Sequence, residues 1–74
     1  MLKNRLYEIR TNEFLATKRR FCQYIKVSEQ QYSRYEGSRA NPSLDVAMRV
    51  ASNLRRTVED IWYFDEEVLE NNGE

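Results

Sequence analysis

Residues 17–36 read TKRRFCQYIKVSEQQYSRYE, and this stretch decides the fold. Thr17 is placed to cap a short helix with Phe21, Cys22 and Ile25 on its inward side. Ser28 is placed to cap the next helix. Gln31, three residues on, completes a capping-box pattern, and Val27 before the cap can staple to Tyr32. The Ile25-Lys26-Val27 connection leaves room only for a tight turn, so the first helix of the pair braces the second. On a wheel of 100° per residue, Ser28, Tyr32 and Tyr35 share one side of the second helix. Gln30 and Arg34 point almost opposite, with Ser33 and Gly37 beside them and Glu29 and Gln31 on the two flanks.

Outward from this pair the apolar residues keep helical spacing. Leu2, Leu6 and Ile9 mark one face of a first helix, expected to end around Arg10 to Asn12. Gly37 to Pro42 is rich in turn formers and predicts a loop. Ser43 is placed to cap a fourth helix with Leu44, Ala47, Met48, Val50, Ala51 and Leu54 on or beside its buried stripe. Thr57, with Asp60 three residues later, opens a fifth element containing Val58, Ile61, Trp62 and Phe64. The expected architecture is all-α, a bundle of five helices. Residues 1–64 are expected to form the domain, and 65–74 an acidic tail, partly helical before it frays.

Composition narrows the function. The 74 residues contain no His and one Cys, so neither a disulfide within the chain nor a zinc site is expected. The acid/base and nucleophile constellations of an enzyme are missing too, and no cofactor is expected. No apolar run is long enough to span a bilayer and no secretory stretch opens the sequence, which predicts a cytoplasmic protein away from membranes. The formal net charge of zero hides a split. Residues 1–56 hold all twelve bases and five acids, a net of +7, whereas 57–74 hold seven acids and no base, a net of −7. A basic body hints at a polyanionic partner, and a solvated charge pattern that aids solubility is the alternative.

The outer face of the helix after Ser28 carries hydrogen-bonding groups suited to base edges. Gln can pair with adenine N6 and N7, and Arg with guanine O6 and N7. Glu and Lys at i,i+4 spacing would be more usual on a merely solvated helix. Lys18, Arg19 and Arg20 sit at the start of the preceding helix, where free N–H groups also favour an anion. Arg39 and Asn41 lie in the loop that follows. Phosphate contacts from both sides would fix the register of the central helix. For Arg19 and Arg20 simple surface charge explains the sequence equally well.

Taken together, Arg5-Leu6-Tyr7-Glu8-Ile9-Arg10, Val27-Ser28, Ser33-Arg34-Tyr35-Glu36, Asn41-Pro42-Ser43-Leu44 and Val58-Glu59-Asp60-Ile61 resemble, in order and spacing, the Cro/phage-repressor (XRE-type) helix-turn-helix family. The resemblance runs from about Arg5 to Phe64. It implies a lambda-repressor-like bundle with the third helix in the DNA major groove. By position it assigns base reading to Glu29, Gln30 and Arg34, with Ser33 beside them. It assigns phosphate contact to Lys18, Arg39 and Asn41, and the neighbouring Thr17, Arg19, Ser28 and Gln31 join that group. Arg10 and Glu36 match a structural ion pair between the first and third helices. Glu29 could accept from cytosine N4, or its charge could simply favour the helix N-terminus.

Several positions depart from the family pattern. Lys26 stands where the turn normally holds Gly, which would cost roughly 1–2 kcal/mol in a left-handed conformation and predicts a slightly altered turn. Cys22 takes the place of a small residue and is expected to pack rather than react. Tyr32 and Tyr35 replace aliphatics, so their hydroxyls need partners. The connection from Thr11 to Ala16 is one residue longer than usual.

The resemblance further implies a homodimer on a palindromic operator, acting as a transcriptional repressor on double-stranded DNA, with no small-molecule ligand. The Ile61-Trp62-Tyr63-Phe64 run has more large apolar surface than one core face needs. Tyr63 with Phe64 or Val68 is therefore the candidate interface. The competing function is a protein-interaction module of the same fold, an antitoxin-like or anti-regulator subunit. Glu29 and the neutral overall charge favour it, and Arg34 and the basic body favour DNA.

Overall fold

The computed structural model describes residues 2–64. Strand β1 (Leu2–Asn4) leads into helix α1 (Leu6–Glu8), which continues as a π-helical turn over Ile9–Phe14. Helices α2 (Lys18–Ile25), α3 (Glu29–Glu36), α4 (Leu44–Leu54) and α5 (Val58–Ile61) follow, and strand β2 (Trp62–Phe64) closes the described chain. Among the described residues the protein is thus mostly helical, with one antiparallel two-stranded sheet in which Leu2 faces Phe64, Lys3 faces Tyr63 and Asn4 faces Trp62. Among the described residues no helix is long and apolar enough to cross a membrane.

Local chemistry sets most helix starts. The N–H groups of Arg20, Gln31 and Val46 donate to the hydroxyls of Thr17 (3.2 Å), Ser28 (3.1 Å) and Ser43 (3.3 Å), satisfying donors that the helices cannot. The full capping box forms at Thr57, whose hydroxyl accepts from Asp60 N–H while its own N–H donates to the Asp60 carboxylate. At Ser28 only half the box forms, because the Gln31 side chain turns away and donates to the Tyr35 hydroxyl at 3.1 Å.

Two expectations about the first and last elements are corrected. Leu2 is not helical, since residues 2–4 pair with 62–64. Trp62 and Phe64 likewise leave the fifth helix, which ends at Ile61. Three consecutive aromatics suit a pleated strand, and antiparallel pairing supplies the hydrogen bonds that a longer helix would have made. Alternation along the strand then buries Trp62 and leaves Phe64 exposed. The Asn4 side chain accepts from Leu6 N–H (3.0 Å), ending the strand and starting α1. Helical structure also runs further than expected, to Phe14. A π-turn takes up one more residue than an α-turn, which is where the longer Thr11–Ala16 connection is accommodated.

The core gathers Leu6, Ile9, Phe21, Ile25, Tyr32, Val50, Ile61 and their neighbours from every helix. Cys22 is buried there as expected, and burial raises its thiol above its ordinary value. On α4, Ala47, Val50, Ala51 and Leu54 are buried, but Leu44 is 69% exposed and Met48 56% exposed, so the helix's apolar stripe extends past the core. Glu13 and Arg56 form an ion pair that ties the π-turn to the segment after α4. Asn53 donates to the Ile25 carbonyl (3.3 Å) and Asn4 to the Tyr35 carbonyl (2.8 Å), so the ends of α2 and α3 are each held from outside.

Four non-glycine residues, Leu15, Lys26, Ser38 and Arg55, have left-handed backbones. Lys26 sits at φ 61° and ψ 46°, the conformation a glycine would favour, so the turn does not deviate to suit its side chain. Arg55 ends α4 in the same way, with Arg56 N–H reaching back to the Ala51 carbonyl at 2.9 Å. Both side chains are exposed, so the cost is one of backbone conformation. Lys26→Gly and Arg55→Gly should each stabilise the fold by about 1 kcal/mol, raising Tm by roughly 4–8 °C in a domain of this size. Thermal unfolding followed by circular dichroism checks this, and an unchanged or lowered Tm would contradict it.

Candidate nucleic-acid interface

Helix α3 is held by its two tyrosines. Tyr32 is fully buried, at 0% exposure, with its ring edge-on to Phe21 at 5.6 Å between centroids. Its hydroxyl accepts from Arg10 Nε at 3.1 Å. The other arm of Arg10 donates to the Ala16 carbonyl (3.1 Å), next to the cap of α2. Tyr35 is also buried, and its hydroxyl accepts from Gln31. Both phenols therefore find partners.

The expected ion pair between Arg10 and Glu36 is not made directly among the described residues. Arg10 donates to Tyr32 and Ala16 instead. The tyrosine hydroxyl stands where an aliphatic side chain would offer no acceptor, and it takes the Arg10 Nε–H. Glu36 acts here through its charge, and its Oε1 is buried without a hydrogen-bond partner.

With the tyrosines inward, the opposite face is open. Glu29, Gln30 and Arg34 are exposed, and Ser33 is half-buried beside them. Gln30, Ser33 and Arg34 join Arg39 from the following loop around one open depression of about 510 Å³. Lys18 reaches this face from the first turn of α2, its Nζ donating to Ser33 Oγ at 3.1 Å. Sequence reading placed Lys18 and Ser33 in different roles, yet the fold brings them into contact. Thr17, Arg19, Ser28, Gln31 and Asn41 are all exposed. The hydroxyls of Thr17 and Ser28 are occupied as caps. Arg19 is not among the residues around that depression and lines a second one, at the turn between α2 and α3, with Cys22, Gln23, Lys26 and Glu29.

Elsewhere on the surface, Leu2, Leu44, Val58, Trp62 and Phe64 line an apolar depression of about 380 Å³. Phe64 is 64% exposed at its rim. Tyr63 is only half-buried, but its ring is covered by the Arg5 guanidinium 4.2 Å from the centroid, an intramolecular use that sequence reading did not foresee. Val68 lies outside the described residues. Among the described residues no group of His, Cys, Asp or Glu is arranged to hold a metal ion.

The chain matches no protein-family model and no curated protein.

The buried Tyr32 gives the site a pH signature. Burial pushes its phenol well above the ordinary value of 10.0; the Arg10 hydrogen bond opposes the rise and the Glu36 charge adds to it. The folded state therefore keeps a proton that the unfolded chain releases. Stability is complete below the unfolded value and is lost as pH rises above it, starting with Cys22 near its ordinary value of 9.0 and continuing with Tyr32 above 10.0. Urea unfolding from pH 8 upward should show this decline. Tyr32→Phe should flatten the limb above pH 10 while lowering stability near neutrality by about 1–2 kcal/mol through loss of the Arg10 bond. An unchanged alkaline limb in the variant would contradict this account.

Proposed function

We propose that this chain is a sequence-specific double-stranded DNA-binding module of the lambda-repressor-like, XRE type, with α3 entering the major groove. The observation that carries the reading is the joint exposure of Gln30 and Arg34 on a helix whose opposite face is locked by Tyr32 and Tyr35. A side chain can read bases only if its helix cannot roll, and the buried phenols prevent rolling. Ser33 and Arg34 sit with Arg39 around one depression, so a base contact and a phosphate contact can be made together. Lys18 extends the positive surface onto the start of α2.

One module reads few base pairs, and a two-fold dimer on a palindromic operator doubles the site. The apolar depression with Phe64 at its rim supports an interface there. The biological role that fits is transcriptional regulation, most simply repression by occupying an operator, without catalysis and inside the cell. A second reading keeps the same fold as a protein-interaction subunit. The exposed Leu44, Met48 and Phe64 favour it, since they would suit a heterologous partner as well as a second copy.

Anisotropy titrations at several salt concentrations test the DNA reading. Affinity should fall steeply with salt, by about 0.9 in log K per log salt for each phosphate neutralised. Arg34→Ala should cost roughly 1–3 kcal/mol and relax sequence preference, whereas Lys18→Ala should weaken all duplexes alike. Selection from a random DNA pool should return a palindrome. Binding that ignores both salt and Arg34→Ala would refute the assignment of α3.

A further inference from the structure

Two depressions that share no residue adjoin α3. Gln30, Ser33, Arg34 and Arg39 line the first, from α3 itself and the loop after it. The second lies at the turn before α3, where Arg19, Gln23 and Lys26 meet Ser28 and Glu29. Arg19, Gln23 and Lys26 follow one another at i, i+4 and i+7, a single face of α2, over about 10 Å of helix axis. All three are exposed. The row offers two cations and an amide. Glu29 is the one carboxylate lining this depression, and it makes no ion pair with either base among the described residues.

Lys26 holds its place in the row against its backbone preference. It sits at φ 61° and ψ 46°, a left-handed conformation that glycine adopts freely. Its N–H closes α2 on the Cys22 carbonyl, a bond that does not involve the side chain. A cation at a helix C-terminus is favoured by the partial negative charge there, and Arg55, the left-handed C-cap of α4, has that same local setting. Lys26 differs in its surroundings. A second base, Arg19, shares its depression, and the depression opens at the start of α3. Arg55 lines neither depression.

We propose that Lys26 and Arg19 together hold a backbone phosphate of the duplex whose groove takes α3, with the Gln23 amide donating beside them. The inference rests on the DNA-binding reading and adds a second anchor to it. In a helix pair of this kind the first helix crosses the sugar-phosphate backbone as the second enters the groove, and α2 is that first helix. Arg39 then stands after α3 and Lys26 with Arg19 before it. Phosphates gripped beyond both ends of the reading helix fix its register on the base edges.

The test uses the full chain and four variants, Lys26→Met, Lys26→Gly, Lys26→Arg and Arg55→Gly. Two duplexes of unrelated sequence are the probes, titrated from low to high salt, and thermal unfolding is followed in parallel. Lys26→Met and Lys26→Gly should each weaken both duplexes by about threefold or more at low salt, with a slope of log K against log salt shallower by about 0.9. Lys26→Gly should do so while raising Tm, a combination that damage to the fold cannot produce. Lys26→Arg should retain affinity and slope, and Arg55→Gly should raise Tm with affinity and slope retained. Unchanged binding in both charge-removing variants, with Arg34→Ala still weakening it, would overturn the Lys26 contact and leave the DNA reading standing. A loss in only one of the two traces to the turn rather than the charge, and an equal loss in Arg55→Gly traces to net charge; either overturns the contact. If the unsubstituted chain binds neither duplex in a salt-dependent way, the contact and the DNA reading fall together.

Discussion

The Tyr32 phenol sits where three elements meet, and the rest of the structure is arranged around keeping it there. Its ring is buried against Phe21 of α2, and Phe21 in turn packs edge-on against Phe14 of the π-turn at 5.4 Å. Its hydroxyl takes the Arg10 hydrogen bond, and Arg10 also holds the Ala16 carbonyl just before α2 begins. A buried hydroxyl without a partner costs about 1–3 kcal/mol, so the aromatic core and the Arg10 bridge stand or fall together. Rolling α3 by one residue would expose this ring, losing roughly 2–3 kcal/mol of burial, and would bring Gln30 or Arg34 toward apolar surroundings. The outward set of side chains is fixed by what is locked inward.

Much of this was legible from residue chemistry acting over a few positions. Thr17, Ser28, Ser43 and Thr57 were readable as caps because a hydroxyl at a helix start has one local task. The inward faces of α2 and α3 followed from spacing alone. The sheet did not. Leu2 and Leu6 are four apart, a spacing that suits a helix, and only the distant Trp62–Phe64 segment reveals residues 2–4 as a strand. Leu44 and Met48 misled in the opposite direction. They continue the apolar stripe of α4, yet no other part of the described chain covers them.

The candidate site divides along the same line. Exposure of Glu29, Gln30 and Arg34 was implied by the tyrosines opposite them. The contacts between elements were not: Lys18 on Ser33, Gln31 on Tyr35 and Arg10 on Tyr32 depend on how helices pack. The Arg10–Glu36 pairing failed because two residue types changed its setting. A tyrosine at position 32 offers Arg10 Nε an acceptor, and the longer turn after α1 brings the Ala16 carbonyl within reach of its Nη1.

The charge division also bears on selectivity. Nonspecific DNA binding draws almost wholly on attraction between bases on the protein and phosphates, whereas reading base edges adds short-range hydrogen bonds that depend on fit. Acidic residues on the same chain would subtract from the first contribution wherever such a protein lands. They would leave the second untouched, because hydrogen bonds to base edges act only at contact range. On the DNA-binding reading, a zero net charge built from a +7 body and a −7 C-terminal stretch would thus weaken binding to right and wrong sequences alike, leaving the gap between them to the base contacts, because a contribution common to both cancels from their difference.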